Sequence, residues 1–310
     1  MRVCRDQDHR ELAASAVVTV GVFDGLHRGH RALIDRARSL CRDGDVLALV
    51  TFEPLPLVIL DPQRAPARLT GTRQKLELLR AAGVDLVWMM RFNRQLADTS
   101  AQAFAAQLKS GLNARRVVVG SDFRFGRRRE GDFASLQALG GEFGFEAESL
   151  PPVLVDGLRV SSTAVRAALS QAKFGIAERL LGRAYTLSGR VVRGQALGRQ
   201  LGYPTANLRL PEGPLPLSGI FAVRARIDEG PWRDGVANLG YRPAVGGGEA
   251  LLETHLFEFD GDLYGRRMEV RFVEKLRDEA HFDHLDGLVA QMKNDEAQAR
   301  LVLAGANNSD

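Results

Sequence analysis

One stretch of ten residues, Gly21-Val22-Phe23-Asp24-Gly25-Leu26-His27-Arg28-Gly29-His30, constrains this chain more than any other. An apolar run, Val17-Val18-Thr19-Val20, precedes it and reads as a buried strand, while residues 31–38 follow with helical spacing of apolar positions. A turn from strand to helix is where open α/β sheets place their ligands. Gly21, Gly25 and Gly29 permit a close approach of backbone to a ligand, or positive φ. The start of the new helix offers unpaired N–H groups and the positive end of its dipole, which suits phosphate. His27 and His30, three residues apart in the first turn, lie on one helix face. Two imidazoles aimed at an anion predict a phosphate-transfer site.

Beyond the turn, apolar runs alternate with helical patterns. Strands are expected near residues 46–52, 84–89, 117–119 and 145–150, with helices near 72–82, 101–109, 132–139, 162–169 and 174–180. That alternation predicts a mostly parallel sheet wrapped on both faces. From Tyr185 the texture changes to short alternating segments separated by Gly and Pro, as in an antiparallel barrel. An amphipathic helix over about residues 285–303 then closes the barrel or packs on it. Two domains are expected, residues 1–182 and 183–310, without a long linker. The length of 310 residues fits two cores better than one.

Composition narrows the function classes. The formal charge is +4, from 42 basic and 38 acidic residues, too small an excess to imply a nucleic-acid partner. With only Cys4 and Cys41, neither a disulfide framework nor a Cys-rich metal site is expected. No apolar run reaches membrane-spanning length, and the N-terminal residues lack an apolar leader segment, so no membrane partner and a cytoplasmic location are expected.

The opening stretch resembles the adenylyltransferase motif Gly-x-Phe-Asp-Gly-x-His-x-Gly-His, a variant of the nucleotidyltransferase His-x-Gly-His signature. Three further segments resemble the adenylyltransferase half of bacterial bifunctional riboflavin kinase/FAD synthetases. They are Thr51-Phe52-Glu53-Pro54; Val119-Gly120-Ser121-Asp122-Phe123-Arg124-Phe125-Gly126 with Arg129-Glu130-Gly131-Asp132; and Arg159-Val160-Ser161-Ser162-Thr163-Ala164-Val165-Arg166. All are expected at strand ends or helix starts. The resemblance implies ATP and FMN binding by Gly21, Phe23, Asp24, Gly25 and Asp122. His27 and His30 would donate to ATP phosphates, Ser162 and Thr163 would hold the triphosphate at a helix start, and Arg159 and Arg166 would offset developing charge as planar forks. One position departs from the pattern: Leu55 stands where the family usually has His.

In the second half, Gly189-Arg190-Val191-Val192-Arg193-Gly194 leads to Gly198-Arg199-Gln200-Leu201-Gly202-Tyr203-Pro204-Thr205-Ala206-Asn207-Leu208. This resembles the riboflavin kinase signature, in which Gly-rich backbone replaces a Walker loop. The resemblance implicates Gly194, Gly198, Gly202 and Pro204 in ATP and flavin binding. Thr205 and Asn207 offer hard neutral oxygens that suit a Mg²⁺ held by ATP phosphates. In Leu251-Leu252-Glu253-Thr254-His255-Leu256-Phe257 the resemblance places the general base at Glu253, and strand alternation puts His255 on the same face. His255 either lines the site or takes a cross-strand partner. Asn238-Leu239-Gly240-Tyr241-Arg242-Pro243 and Leu276-Arg277-Asp278-Glu279 also match, with Arg277 a candidate flavin or nucleotide contact. Ala244 follows Pro243 where a hydroxyl residue is usual.

The fold implied is an α/β nucleotidyltransferase domain with a Rossmann-like parallel sheet, followed by a β-barrel riboflavin kinase domain with a C-terminal helix. The activity implied is phosphorylation of riboflavin to FMN with ATP and Mg²⁺, then adenylylation of FMN to FAD with release of pyrophosphate. Riboflavin, FMN and ATP are thus the expected partners. Two other readings stand beside it: a nucleotidyltransferase with a different acceptor, and a flavin-binding regulator with one silenced site. Oligomeric state is not legible.

Overall fold

The computed structural model describes residues 1–5, 12–194, 198, 201–211, 213–242 and 249–306. The chain divides into two compact units, one of Met1–Pro66 with Thr72–Ser161, the other of Ala67–Gly71 with Ser162–Asp310.

The first unit is built on a six-stranded sheet in the order β1-β4-β3-β2-β5-β6, with every pair parallel. Its strands are β1 (Arg2–Arg5), β2 (Ala16–Val20), β3 (Val46–Glu53), β4 (Leu86–Arg91), β5 (Ala114–Gly120) and β6 (Glu146–Leu150), and a separate antiparallel pair, β7 (Leu154–Val155) and β8 (Leu158–Arg159), follows them. The helices are α1 (Arg28–Ser39), α2 (Pro56–Leu60), α3 (Thr72–Ala81), α4 (Arg94–Ala97), α5 (Ala101–Leu112) and α6 (Phe133–Phe143). Alternate residues of the central strands feed two cores. Val18, Val50, Trp88 and Val117 pack with Phe104, Leu108 and Leu136 on one face. Val17, Leu49, Val87 and Val118 pack with Ile34, Ala37 and Leu79 on the other. Burial on both faces explains why these strands read as unbroken apolar runs. The edge strand β1, Arg-Val-Cys-Arg, is exposed at both ends and carries no such signal.

The strand order reverses at β2, which has β3 on one side and β5 on the other. Open sheets leave their ligand crevice at such a switch point, and residues 21–30 leave from the end of β2.

The second unit holds α7 (Ser162–Ser170), α8 (Phe174–Leu181), a closed barrel and α9 (Leu285–Ala306). The barrel runs β10-β13-β12-β11-β14-β9, with β9 (Thr186–Val192), β10 (Ala206–Arg209), β11 (Gly219–Ile227), β12 (Arg233–Arg242), β13 (Glu249–Leu256) and β14 (Arg267–Arg277). Leu208, Phe221, Val223, Ala237, Leu239, Leu252, Val270 and Phe272 are buried in it. Phe174 of α8 lies edge-on to Phe221 at 6.1 Å and parallel to Phe272 at 6.2 Å. Ala299 and Leu303 of α9 pack on Ala222 and Phe257. Closure leaves no free sheet edge.

The compact units part at Ser161/Ser162, whereas the change of sequence texture comes near Gly182. The helices between these two points group with the barrel. Five residues from much earlier, Ala67–Gly71, group with it too: Arg68 N–H donates to the Pro214 carbonyl at 2.8 Å, and the Arg166 guanidinium donates to the Ala67 carbonyl at 2.5 Å.

Candidate functional sites

In the first unit the turn after β2 is tightly wound. Phe23 (φ 51°), Gly25 (φ 84°) and Leu26 (φ 39°) all have positive φ. Two of these three are not glycine, so the loop holds backbone strain of the kind that clusters at ligand sites. Gly21 and Gly29 serve close approach instead. A Cβ on Gly29 would stand 3.2 Å from the His27 ring and 3.6 Å from the Val160 carbonyl oxygen. That contact brings the Arg159-Val160-Ser161 segment to the turn. Asp24 is buried within it.

His27 caps α1. Its Nδ1 accepts from the His30 backbone N–H at 3.2 Å, satisfying one of the orphan donors of the first turn. An accepting Nδ1 leaves the ring proton of the neutral imidazole on Nε2, which makes that nitrogen a donor. The His30 ring stacks on His27 at 3.6 Å and lies 4.9 Å from the Phe23 ring. The two imidazoles therefore form one face at a helix start.

The second matching segment supports this turn from below. The Thr51 hydroxyl donates to the Val22 carbonyl at 3.0 Å, and Lys75 Nζ donates to the same oxygen at 3.1 Å. Lys75 is fully buried. The expected helix over residues 72–82 did not show that its lysine turns inward beneath the motif loop. Glu53 accepts from the Thr72 hydroxyl at 3.1 Å. Leu55 is 3% exposed, so an apolar side chain fills its place.

Asp122 and Arg159, from separate matching segments, form a 2.6 Å ion pair on the surface. In the same loop Asp132 caps α6, and its carboxyl is pulled down to about 2 by the Ser135 N–H and hydroxyl and by Arg124. Ser162 and Thr163 open α7 and, with Arg166, belong to the second compact unit, while His27 and His30 belong to the first.

The barrel assembles its candidate groups by register. Asn207 on β10 pairs with Glu253 on β13, and Glu253 pairs in turn with Asn238 on β12. The alternate residues Ala206, Leu208, Leu252, Thr254, Ala237 and Leu239 are all buried, so the Asn207–Glu253–Asn238 row lies on the barrel's outer surface. Asn207 is nonetheless only 4% exposed, and its Oδ1 has no hydrogen-bond partner among the described residues. A buried amide oxygen without a donor is costly, and its hard neutral character fits a magnesium ion. Gly194 is cut to the same place: a Cβ there would come within 2.4 Å of Asn207 Nδ2. Gly198 is pinned over the loop, accepting from Tyr203 N–H at 2.7 Å, and a Cβ on it would lie 3.4 Å from the Thr205 hydroxyl oxygen. Gly202 takes φ 83°. The Tyr203 phenol is pushed up by burial and by Glu296.

His255 takes a structural partner. Its Nδ1 lies 2.9 Å from the Pro204 carbonyl, which can only accept, and its ring meets Tyr203 edge-on at 5.1 Å. Arg277 is likewise occupied: its guanidinium forks onto the buried Asp295 carboxylate of α9 at 2.9 and 2.6 Å and donates to the Asp278 carbonyl. Pro243 and Ala244 lie outside the described residues.

A strand-to-helix phosphate turn in one unit and a barrel with a Gly-rich kinase loop in the other define a tandem ATP-dependent transferase. The family model for FAD synthetase matches residues 9–164, and the model for riboflavin kinase matches residues 181–303. A bifunctional riboflavin kinase/FMN adenylyltransferase of Pseudomonas fluorescens is 47% identical over 291 residues, covering 93% of each chain. Its counterpart in Escherichia coli K12 is 45% identical over 287 residues, 92% of this chain and 91% of that one. The chain belongs to the bifunctional riboflavin kinase/FMN adenylyltransferase family. A crystal structure from Streptococcus pneumoniae described as a macrolide-efflux protein matches with a TM-score of 0.80 and 31% identity, over 97% of this chain and 99% of that one. Among the described residues here, no helix is long and apolar enough to cross a membrane.

Proposed function

We propose that each half of the chain carries one of the family's two activities, residues 183–310 the kinase and residues 1–182 the adenylyltransferase. In the kinase step Glu253 accepts the proton of the riboflavin 5′-hydroxyl as that oxygen attacks the γ-phosphorus of ATP, releasing ADP. Thr205 and Asn207 would hold the Mg²⁺ that accompanies ATP, and the ion would neutralise charge on the transferring phosphoryl group. Gly194, Gly198, Gly202 and Pro204 shape the phosphate loop. The single observation that carries this reading is the pairing of Asn207, with its unpartnered oxygen, directly against Glu253.

In the adenylyl step the FMN phosphate attacks the α-phosphorus of ATP and pyrophosphate leaves. No base is needed, because the attacking phosphate is already an anion, so the work is positioning and charge neutralisation. His27 donates from Nε2, His30 stands beside it, and the α1 start adds its N–H groups. Gly21, Phe23, Asp24 and Gly25 shape the nucleotide pocket. Asp122 and Arg159, paired with each other at 2.6 Å, would contact FMN or nucleotide from their loops. Ser162, Thr163 and Arg166 remain candidates for the triphosphate. Arg277, held by Asp295, acts through the position of α9 rather than as a free fork. The cytoplasm, where riboflavin and ATP meet, is the proposed location.

The test is a time course of products from riboflavin, ATP and Mg²⁺. FMN accumulates first and FAD follows, FMN supplied alone yields FAD, and chelation of divalent metal stops FMN formation. Absence of either product overturns the two-activity reading.

A further inference from the structure

The row on the outer barrel surface extends past the proposed base. Asn238 pairs with Glu253 on one side and with Ile220 of β11 on the other, and Ile220 pairs with Arg277 of β14. Asn207, Glu253, Asn238 and Ile220 thus form a continuous line across four strands. Asn238 shares a trait with Asn207: its Oδ1 is buried and has no hydrogen-bond partner among the described residues. A buried acceptor left without a donor among the described residues, on the same row as the proposed base, is placed to take a hydrogen bond from a bound acceptor substrate.

We infer that Asn238 binds the ribityl hydroxyls of riboflavin and sets the acceptor specificity of the kinase. The inference rests on the kinase reading given above, with ATP at Asn207 and the base at Glu253. Phosphoryl transfer is in line, so the attacking oxygen and the leaving ADP stand on opposite sides of the γ-phosphorus. With ATP on the Asn207 side, the acceptor enters from the Asn238 side. Adjacent strands stand about 4.8 Å apart. A polyol whose terminal oxygen meets Glu253 therefore carries inner hydroxyls over Asn238. The next position, Ile220, is 8% exposed and apolar. Carboxylate, amide, then aliphatic side chain matches the order of the acceptor itself: reacting hydroxyl, polyol, then flat ring. A neutral amide supplies both an acceptor and donors without placing a second charge beside Glu253.

Steady-state kinetics of Asn238→Leu, which keeps side-chain volume and removes the polar atoms, tests this. The riboflavin KM rises about tenfold, the size of one hydrogen bond to a neutral group, while the ATP KM stays within twofold. Analogues of riboflavin with one inner ribityl hydroxyl replaced by hydrogen add a measurement on the unaltered enzyme. At least one of them loses about tenfold in kcat/KM, and Asn238→Leu no longer distinguishes that analogue from riboflavin. An unchanged riboflavin KM, a matching rise in ATP KM, or full tolerance of every analogue by the unaltered enzyme overturns the inference. If Asn238→Leu does not fold, Asn238→Ser read against the same analogue series decides: equal discrimination by Asn238→Ser and the unaltered enzyme overturns the inference. Glu253→Gln is assayed in parallel: retained kinase activity there brings down the underlying kinase reading. A dead Glu253→Gln beside an unaffected Asn238→Leu brings down only the role of Asn238.

Discussion

The two units bring reactive groups together by opposite routes. In the first, His27 and His30 are neighbours along the chain, and a wound turn with positive φ at Phe23 and Leu26 delivers them to a helix start. In the second, Asn207, Glu253 and Asn238 come from three strands and meet only through pairing register. The turn is vulnerable to loss of local strain-bearing contacts such as the Val22 carbonyl bonds. The row is vulnerable to slippage, because a shift of one residue would send Glu253 to the barrel interior and Leu252 or Thr254 to the surface. Local construction tolerates distant change, whereas construction by register depends on the closure of the whole barrel.

The sharpest way to break this comparison is Glu253→Gln. A general base contributes about 10²–10⁴-fold, so FMN formation falls by that order. FAD formation from supplied FMN stays nearly unchanged, and a kinase rate within a few-fold of the unaltered enzyme removes Glu253 from the role. Next in size is His30→Ala. Loss of one preorganised donor costs about 10²–10³-fold, here in conversion of FMN to FAD, with FMN production intact. Equal loss of both activities in a folded protein would end the separation of the two sites.

A third measurement sharpens the boundary. A fragment of residues 183–310 omits α7 and α8, and with them the ring of Phe174 that lies against Phe221 and Phe272. A fragment of Ser162–Asp310 keeps them. The longer fragment melts higher by about 5 °C or more, the shift expected from roughly 1 kcal/mol in a domain of this size. Equal melting temperatures would show that the helices add nothing to the barrel, and would favour a cut near Gly182.

The parallel sheet, the barrel and both sets of motifs were legible in the sequence because each is written locally, in periodicity or in a run of glycines. What escaped was non-local. The helices α7 and α8 continue the strand–helix rhythm of the first half, and an amphipathic face does not say which layer it will cover. The strand Arg2–Arg5 lacks an apolar run because it lies at an edge. The glycines of the first motif were visible, but the positive φ at Phe23 and Leu26 was not. His255 was left between two roles by alternation alone, and its contact with the Pro204 carbonyl was not legible in either. Arg277 carried a motif match, yet its partner Asp295 lies on a helix that no motif covers. Likewise Asn238 lay inside a matching segment without a role until register set it beside Glu253.

The membership of Ala67–Gly71 in the second unit has a consequence for how the chain is made. Ala67 waits for Arg166, 99 residues further along, to donate to its carbonyl. At roughly 5–20 residues per second that interval lasts on the order of 5–20 seconds. Through it Leu69, fully buried in the finished protein, leaves the ribosome ahead of the unit it will join. The nascent first half therefore carries an unfinished loop for many seconds. A ribosome that pauses before Ser162 prolongs the stage at which that loop is open to proteases and to chaperones that hold apolar segments.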